Sequence, residues 1–253
     1  MKVLLIDNTK FNCAFFTPKL HESLMKRSID VVLCKTKHDI IDGINMNIQA
    51  IILSGSSLNV SEKQSIENIS KDIIPMLLVP HVPILGVCFG MQLISVLHGG
   101  KVERLTKINE GQFEISRSSL KLLNNVTEDH KFRFSHQDII SSIPNGFECT
   151  YNQCGFIEAI ENLETMRFGV QFHPEDSGDG GDIVIDNFMK MTLNHFTRIG
   201  SIYITTKQWY NIAMTIGKMD RHRVANMFNI TPDDVTNIWN EFRNMYKIPA
   251  MMF

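Results

Sequence analysis

The feature that most constrains the fold is a series of four short apolar runs in the first hundred residues. The runs are rich in leucine and β-branched residues, and stretches with apolar residues at helical spacing lie between them. Buried strands that alternate with helices are typical of a parallel sheet covered on both faces. The sequence therefore predicts an α/β fold with strands at residues 3–6, 29–34, 50–53 and 84–88, and helices from Pro18 and at residues 39–44, 61–78 and 91–97.

From residue 101 to residue 170 the pattern changes to short segments in which apolar and polar residues alternate. Such segments, separated by turns like Pro144-Asn145-Gly146, are typical of antiparallel strands. We expect a Gly-rich flexible loop at residues 177–182, followed by a helix over residues 182–196. The whole pattern predicts a flavodoxin-like, open, mostly parallel sheet with helices on both faces and a small antiparallel sheet, with strands in its second half at residues 112–116, 132–134, 156–160 and 168–172.

The composition is that of an ordinary globular protein, with 43% hydrophobic and 21% charged residues. No apolar run approaches the ~20 residues that a membrane-spanning helix needs, and the start of the chain lacks the apolar region of a signal peptide. The net charge of −2 does not favour nucleic-acid or membrane-surface binding. The five cysteines match no common zinc-binding spacing, so we expect free thiols, a cytoplasmic location, no metal and no cofactor.

The last fifty residues differ from the rest, and we place a boundary between a domain of residues 1–198 and a small helical appendage of residues 201–253. Helices are predicted at residues 205–216 and 220–228 and from Thr231-Pro232-Asp233-Asp234, which has the features of a helix start. The spacing of Ala225, Asn229 and Val235 is that of a helix-turn-helix. Six Lys or Arg against four Asp or Glu in this segment are too few for a DNA-binding surface, so partner docking is the preferred interpretation.

The strongest local motif is Gly86-Val87-Cys88-Phe89-Gly90, at a predicted junction between a strand and a helix. A nucleophile with glycine two residues to each side is typical of a nucleophile elbow, a sharp, strained turn that lets backbone segments approach closely. Cys88 would then lie at the carboxyl end of the sheet and at a helix N-terminus, which favours the reactive thiolate. The pentapeptide by itself fits a buried cysteine beside two turn glycines equally well.

A second motif is His173-Pro174-Glu175, after a predicted strand. The proline favours an extended conformation at His173, and residues two apart in an extended chain point to the same side. The Glu175 carboxylate could then orient the imidazole, as the third member of a catalytic triad does. The motif alone is explained as simply by a capped loop at the surface.

Together the two motifs resemble the signature segments of class I, triad-type glutamine amidotransferases. Residues 86–92, Gly-Val-Cys-Phe-Gly-Met-Gln, are most similar to the amidotransferase domain of GMP synthetases, and residues 169–175, Gly-Val-Gln-Phe-His-Pro-Glu, match the second signature. The resemblance covers residues 1–197 in order. It extends to Ile51-Ile52-Leu53-Ser54-Gly55, His98-Gly99-Gly100-Lys101-Val102, Ser135-His136 with Asp138, and Asp186-Asn187-Phe188.

The resemblance implies a chemistry for the two motifs. Cys88 attacks the side-chain amide carbon of glutamine, and His173, oriented by Glu175, activates the thiol and then protonates the departing ammonia. The γ-glutamyl thioester that forms is hydrolysed by water to glutamate.

It also implies supporting groups for the oxyanion and for glutamine. Backbone N–H groups of Phe89 and of the Gly55-Ser56 turn would hold the oxyanion. Gln92 and the Ser135-His136 backbone would bind glutamine. An ordinary helix residue at position 92 and a surface histidine at position 136 are the alternatives.

The sequence departs from the family in two places. The oxyanion loop is Leu53-Ser54-Gly55-Ser56-Ser57, without the usual second glycine and proline, and a positive φ at Ser56 would be strained. No segment resembles the Ser-Gly-Gly-x-Asp-Ser phosphate loop of an ATP pyrophosphatase. We therefore expect this chain to supply ammonia to a separate ATP-dependent synthetase subunit, with GMP as the expected product.

Two other interpretations remain open from the sequence. The chain could be an autonomous hydrolase or peptidase that acts on other γ-glutamyl compounds. It could also be a regulatory or nucleic-acid-associated protein that reuses the scaffold and its helical appendage, although Cys88, His173 and Glu175 together argue against a purely structural role.

Overall fold

The main sheet is mostly parallel, and its strand order brings the two sequence motifs side by side. The computed structural model describes residues 1–8, 16–34, 48–62, 82–152, 154–199, 220–228, 231–233, 235–237 and 240. Its strands are β1 (Lys2–Ile6), β2 (Asp30–Cys34), β3 (Ala50–Leu53), β4 (Ile84–Val87), β5 (Lys101–Phe113), β6 (Phe132–Ser142), β7 (Glu148–Tyr151), β8 (Ile157–Asn162) and β9 (Arg167–Val170).

Seven of these strands form one sheet in the order β2-β1-β3-β4-β9-β8-β7. The first five in that order run parallel, and β8 and β7 add an antiparallel edge. Strands β3, β4 and β9 are neighbours, so their carboxyl ends meet at one edge of the sheet, where open α/β sheets bind ligands.

Helices cover both faces of the sheet, because strand residues alternate between two buried clusters. The described helices are α1 (Phe16–Lys26), α2 (Phe89–Leu97), α3 (Gly178–Ile199) and α4 (Arg221–Phe228). Val3 and Leu5 pack with α1 and α3 on one face, whereas Leu4 and Ile6 pack with α2 on the other. The predicted α/β fold with helices on both faces is confirmed. None of the described helices combines the length and the hydropathy that a bilayer crossing requires.

The small antiparallel sheet is a long hairpin of β5 and β6, whose extent the sequence did not predict. The predicted strand at 112–116 is wrong in its bounds: β5 begins at Lys101 and ends at Phe113. Most of its side chains are exposed, so the strand carries no clear apolar alternation. The antiparallel character predicted for the later strands holds only in part, because β9 pairs antiparallel with β8 and parallel with β4.

The Gly-rich segment predicted as a flexible loop is the first turn of α3, which begins at Gly178. The glycines serve close packing instead of flexibility: a Cβ at Gly181 would lie 1.9 Å from the Pro174 carbonyl oxygen, and a Cβ at Gly180 would lie 2.8 Å from His130 Cβ. The turn after His173 is thus packed directly against the start of α3.

The appendage is described only in part. Helix α4 (Arg221–Phe228) confirms the predicted helix at residues 220–228, and Asp220 caps it by accepting hydrogen bonds from the backbone N–H groups of His222 and Arg223. The predicted helix start at Thr231 is also found, since the Val235 N–H donates to the Thr231 carbonyl at 3.2 Å. The predicted helices at 39–44 and 205–216, residues 63–78 of the predicted 61–78 helix, and the Asn229 turn lie outside the described residues.

Candidate active site

Cys88 occupies the sharp turn between β4 and α2. Its backbone has a φ of 50° and a ψ of −104°, a left-handed conformation that is costly for a residue with a side chain. The Cys88 N–H donates to the Val170 carbonyl of β9 at 2.7 Å, which fixes the turn against the neighbouring strand. The strained turn that the pentapeptide predicted is present.

The two glycines of the pentapeptide allow backbone segments to touch. A Cβ at Gly86 would lie 2.4 Å from the Gly90 carbonyl carbon, and a Cβ at Gly90 would lie 2.5 Å from the Leu53 carbonyl oxygen. Both contacts are with backbone, so no side-chain movement could relieve them. The turn is therefore restricted to glycine at both positions.

His173 and Glu175 follow β9 and contact each other as predicted, through a different backbone geometry. His173 is extended, with a φ of −98°, but Pro174–Asp176 then form a 3₁₀ turn instead of continuing the strand. Imidazole Nδ1 donates to Glu175 Oε1 at 2.9 Å, and both side chains are almost fully buried. The His173 N–H donates to the Arg133 carbonyl at 2.7 Å and so anchors the segment to β6.

The imidazole of His173 also hydrogen-bonds the Cys88 thiol. Burial lowers the pKa of His173, but hydrogen bonds and charge interactions with Cys88 and Glu175 outweigh that effect and raise the pKa to about 10. The histidine therefore binds its proton more tightly than a free imidazole does. The arrangement has the geometry of a nucleophile, a base and an orienting carboxylate.

A cavity of about 390 Å³ lies at this edge of the sheet, within the usual range for small-molecule sites. Cys88 and His173 form part of its wall, and Glu175 lies behind His173. The cavity is also lined by every other residue predicted for the site: Gly55, Ser56, Phe89, Gln92, Ser135 and His136.

The loop after β3 passes close to the imidazole. A Cβ at Gly55 would lie 2.8 Å from His173 Cε1 and 3.7 Å from Cys88 Cβ. Ser56 is not among the non-glycine residues with positive φ, so the strain considered for this position is absent. Its hydroxyl donates to the Asn8 carbonyl at 2.9 Å and accepts from the Leu58 N–H at 3.1 Å. The loop is thus held by hydrogen bonds in place of the missing glycine and proline.

Phe89 is the first residue of α2, where helix N–H groups have no acceptor within the helix. Gly55, Ser56 and Phe89 line the cavity together with Cys88. Across the cavity, the Ser135 carbonyl lies 3.7 Å from the Cys88 sulfur.

His136 is buried, not a surface histidine. Its Nδ1 lies 3.0 Å from the Asp138 carbonyl, which can only accept, so Nδ1 carries the proton and Nε2 accepts from Asn109 Nδ2 at 3.0 Å. Burial lowers the pKa of His136 to about 4, opposed by the Asp138 hydrogen bond. The ring is therefore neutral at pH 7.

Gln92 is buried as well, and its amide nitrogen has two partners inside the protein. Nε2 donates to the Asp138 carbonyl at 2.8 Å and to Gln171 Oε1 at 3.1 Å. The sequence alone predicts substrate binding or an ordinary helix position for Gln92 and no role for Gln171, although Gln171 belongs to the second signature.

Asp138 connects the two sides of the cavity. Its carboxylate accepts from the Ser61 N–H at 2.7 Å and from the Ser61 hydroxyl at 2.9 Å, in the loop that follows β3. We call this pair of hydrogen bonds the Asp138 clasp. No sequence signal linked Ser61 to Asp138, because the two residues are far apart in the chain.

The described residues contain no cluster of His, Cys, Asp and Glu suited to hold a metal ion. Among the described cysteines, Cys88, Cys149 and Cys154 are free thiols.

Several known proteins are similar to this chain. Glutamine-hydrolyzing GMP synthases from Macrococcus caseolyticus and Borreliella burgdorferi are 34% and 37% identical over 148 residues, which are 57% of this chain and 28% of each relative. The GMP synthase of Wigglesworthia glossinidia brevipalpis is 34% identical over 170 residues, 60% of this chain and 30% of that protein. The chain thus matches less than a third of the length of these relatives.

A crystal structure from Thermoplasma acidophilum, of a candidate subunit of GMP synthase, has the same fold. The TM-score is 0.66 over 80% of this chain and 98% of that one, at 20% identity. The resemblance to the amidotransferase part of GMP synthases is therefore confirmed. The family model of class-I glutamine amidotransferases matches residues 5–191, and the chain belongs to that family.

Proposed function

We propose that this chain is a glutaminase that releases ammonia through a cysteinyl thioester. The observation that carries the proposal is the contact of His173 with both Cys88 and Glu175 at the wall of a cavity. The imidazolium and the thiolate form an ion pair, which supplies a nucleophile and a proton donor at neutral pH.

The steps follow from this arrangement. The Cys88 thiolate attacks the amide carbon of glutamine, and the negative oxygen that forms is held by N–H groups of Phe89 and the Gly55-Ser56 loop. His173 gives its proton to the nitrogen, which leaves as ammonia, and the thioester remains. Water then attacks the thioester and gives a proton to His173, glutamate leaves, and Cys88 returns to the thiolate.

Three further residues are proposed to bind glutamine: Gln92, Ser135 and His136. All three line the cavity. His136 is neutral and held by two hydrogen bonds, so its backbone and that of Ser135 present a fixed surface to the substrate.

We further propose that the ammonia is used by a separate ATP-dependent synthetase that makes GMP, in the cytoplasm. The relatives are glutamine-hydrolyzing GMP synthases, and this chain matches less than a third of their length. The family model of class-I glutamine amidotransferases covers residues 5–191 of this chain. Residues 201–253 lie beyond that match and are proposed to form a separate helical unit that docks on a partner.

The test is glutamate release from glutamine by the purified chain, beside a Cys88→Ala control. Slow Cys88-dependent release that a GMP-forming synthetase stimulates would support the proposed role as a glutaminase subunit. Rapid release without a partner, with a preference for substituted γ-amides, would show an autonomous γ-glutamyl hydrolase instead. If Cys88 reacts with neither glutamine nor a glutamine-analogue alkylator, the enzyme hypothesis is wrong, and a regulatory function of the scaffold takes its place.

A further inference from the structure

Gln171 lies directly against the reacting sulfur, and the mechanism above gives it no part. Its side chain is 1% exposed, and its Nε2 lies 3.5 Å from Cys88 Sγ. We propose that Gln171 is a catalytic residue whose amide donates a hydrogen bond to the Cys88 sulfur and stabilises the thiolate. This inference rests on the proposed thiolate chemistry of Cys88.

The direction of the Gln171 amide is fixed by a chain of hydrogen bonds. The Asp138 carbonyl can only accept, so the nitrogen of Gln92 must face it, at 2.8 Å. The second hydrogen on that nitrogen points to Gln171, at 3.1 Å, and requires an oxygen there. Gln171 is therefore left with its NH₂ group towards Cys88. These hydrogen bonds place a donor, not an acceptor, at the Cys88 sulfur.

The backbone holds Gln171 in place independently of its side chain. Its N–H donates to the Glu158 carbonyl of β8 at 2.8 Å, at the end of β9. Two residues later, His173 is anchored by Arg133. One short segment therefore brings two separate donors, an imidazolium and a neutral amide, to the same sulfur.

Another group beside the Cys88 sulfur disfavours the thiolate, and the Gln171 amide counteracts it. The Ser135 carbonyl, 3.7 Å away, presents its negative end to the sulfur and favours the thiol. The amide of Gln171 opposes that effect. The other titratable or charged side chains that line the cavity are His173, His136, Asp138 and Arg104, with Glu175 behind His173 and Arg104 at the rim. His136 is neutral, and the Asp138 carboxylate already accepts two hydrogen bonds from Ser61.

The amide would act twice in each catalytic cycle. It stabilises the thiolate before attack on glutamine. When water attacks the thioester, the C–S bond breaks, the electron pair returns to sulfur, and the proton from water goes to His173. The donor at 3.5 Å then meets the leaving thiolate, so both acylation and deacylation depend on it.

The experiment measures the pH dependence of Cys88 alkylation by iodoacetamide in the full chain, between about pH 5 and 9. Peptide mass spectrometry must identify the Cys88 product, because Cys154 is exposed and also reacts. Gln171→Met keeps the length of the side chain and removes the donor, and Gln171→Glu keeps its shape and places a carboxylate at the sulfur. Gln112→Met, at an exposed position of β5, is the matched control.

We expect the midpoint of Cys88 alkylation to rise by about one pH unit in Gln171→Met and by more in Gln171→Glu, with no change in Gln112→Met. Gln92→Met, which frees the Gln171 amide to turn, should shift the midpoint in the same direction by less. If one of the two Gln171 variants does not fold, the other Gln171 variant and Gln92→Met still show whether the amide stabilises the thiolate.

Unchanged midpoints in folded Gln171 and Gln92 variants would overturn the inference and leave Gln171 as a packing residue. That result differs from failure of the proposed function, which would show in the parent chain as a Cys88 that forms no thiolate near neutral pH and ignores a glutamine-analogue alkylator.

Discussion

Gly55 lies so close to His173 that a single added carbon would meet the imidazole, at 2.8 Å from Cε1. We predict that Gly55→Ala displaces the ring from Cys88 and lowers kcat for glutamate release by about 10- to 100-fold, because a small misplacement of a catalytic group has a large effect on rate. The free energy of unfolding should fall by only about 1–3 kcal/mol. Full activity in a correctly folded Gly55→Ala variant would contradict the described position of the loop.

A second prediction concerns Asn8, which follows β1 and hydrogen-bonds to the loop after β3. Asn8 Nδ2 donates to the Ser54 carbonyl at 2.7 Å, and the Asn8 N–H donates to Ser54 Oγ at 3.0 Å. Asn8→Asp replaces the amide donor by an oxygen facing a carbonyl. We expect the free energy of unfolding to fall by about 1–3 kcal/mol in urea denaturation. Asn124→Asp, at an exposed position, should have little effect; equal losses in the two variants would rule out a special role for Asn8.

The buried neutral His136 should make stability depend on pH. Its folded-state pKa of about 4 lies below the ordinary value of 6.5, so the unfolded chain binds more protons between these values. The stability contribution is complete above pH 6.5 and is lost as the pH falls to about 4. His136→Gln should not lose this stability at low pH. The free energy of unfolding of the variant and of the parent, measured against pH, would reveal the difference. His222→Gln, at an exposed position, is the control and should follow the parent.

Glu158 should have the opposite pH dependence. Burial raises its pKa to about 7 from an ordinary 4.5, although a hydrogen bond from the Ser116 N–H opposes the shift. The contribution of this carboxyl to stability is complete below pH 4.5 and is lost as the pH rises to about 7. Glu158→Gln should therefore gain stability relative to the parent across that range and keep the gain at higher pH. A constant difference at every pH would contradict the prediction; exposed Glu128→Gln is the comparison.

The sequence predicted the parts of the fold that are buried on both sides. The strands β1, β3 and β4 were found within a few residues, because they are buried on both faces of the sheet. The edge strand β2 and helix α2 were found from the spacing of their apolar residues. Strand β5 was largely missed, because it lies at the surface and most of its side chains are exposed. The glycines near position 180 were misinterpreted, since composition does not distinguish flexibility from close packing.

At the site, the predicted residues are those whose chemistry is evident from residue type and local spacing. Cys88, His173 and Glu175 belong to short motifs, and the structure brings them together. Gln171 and Asn8 were missed because they act through hydrogen bonds to residues distant in sequence, and a single sequence contains no signal for such pairs.

The Asp138 clasp has a consequence for how the protein opens. Asp138 binds Ser61 through its carboxylate, and its carbonyl accepts from both Gln92 and His136. The loop over residues 54–62 therefore cannot separate from strand β6 without breaking both partly buried hydrogen bonds of the clasp. In native-state hydrogen exchange, the slow amides of these two segments should be released together, as a single cooperative unit. Asp138→Asn would then uncouple the two exchange rates while the rest of the sheet keeps its protection.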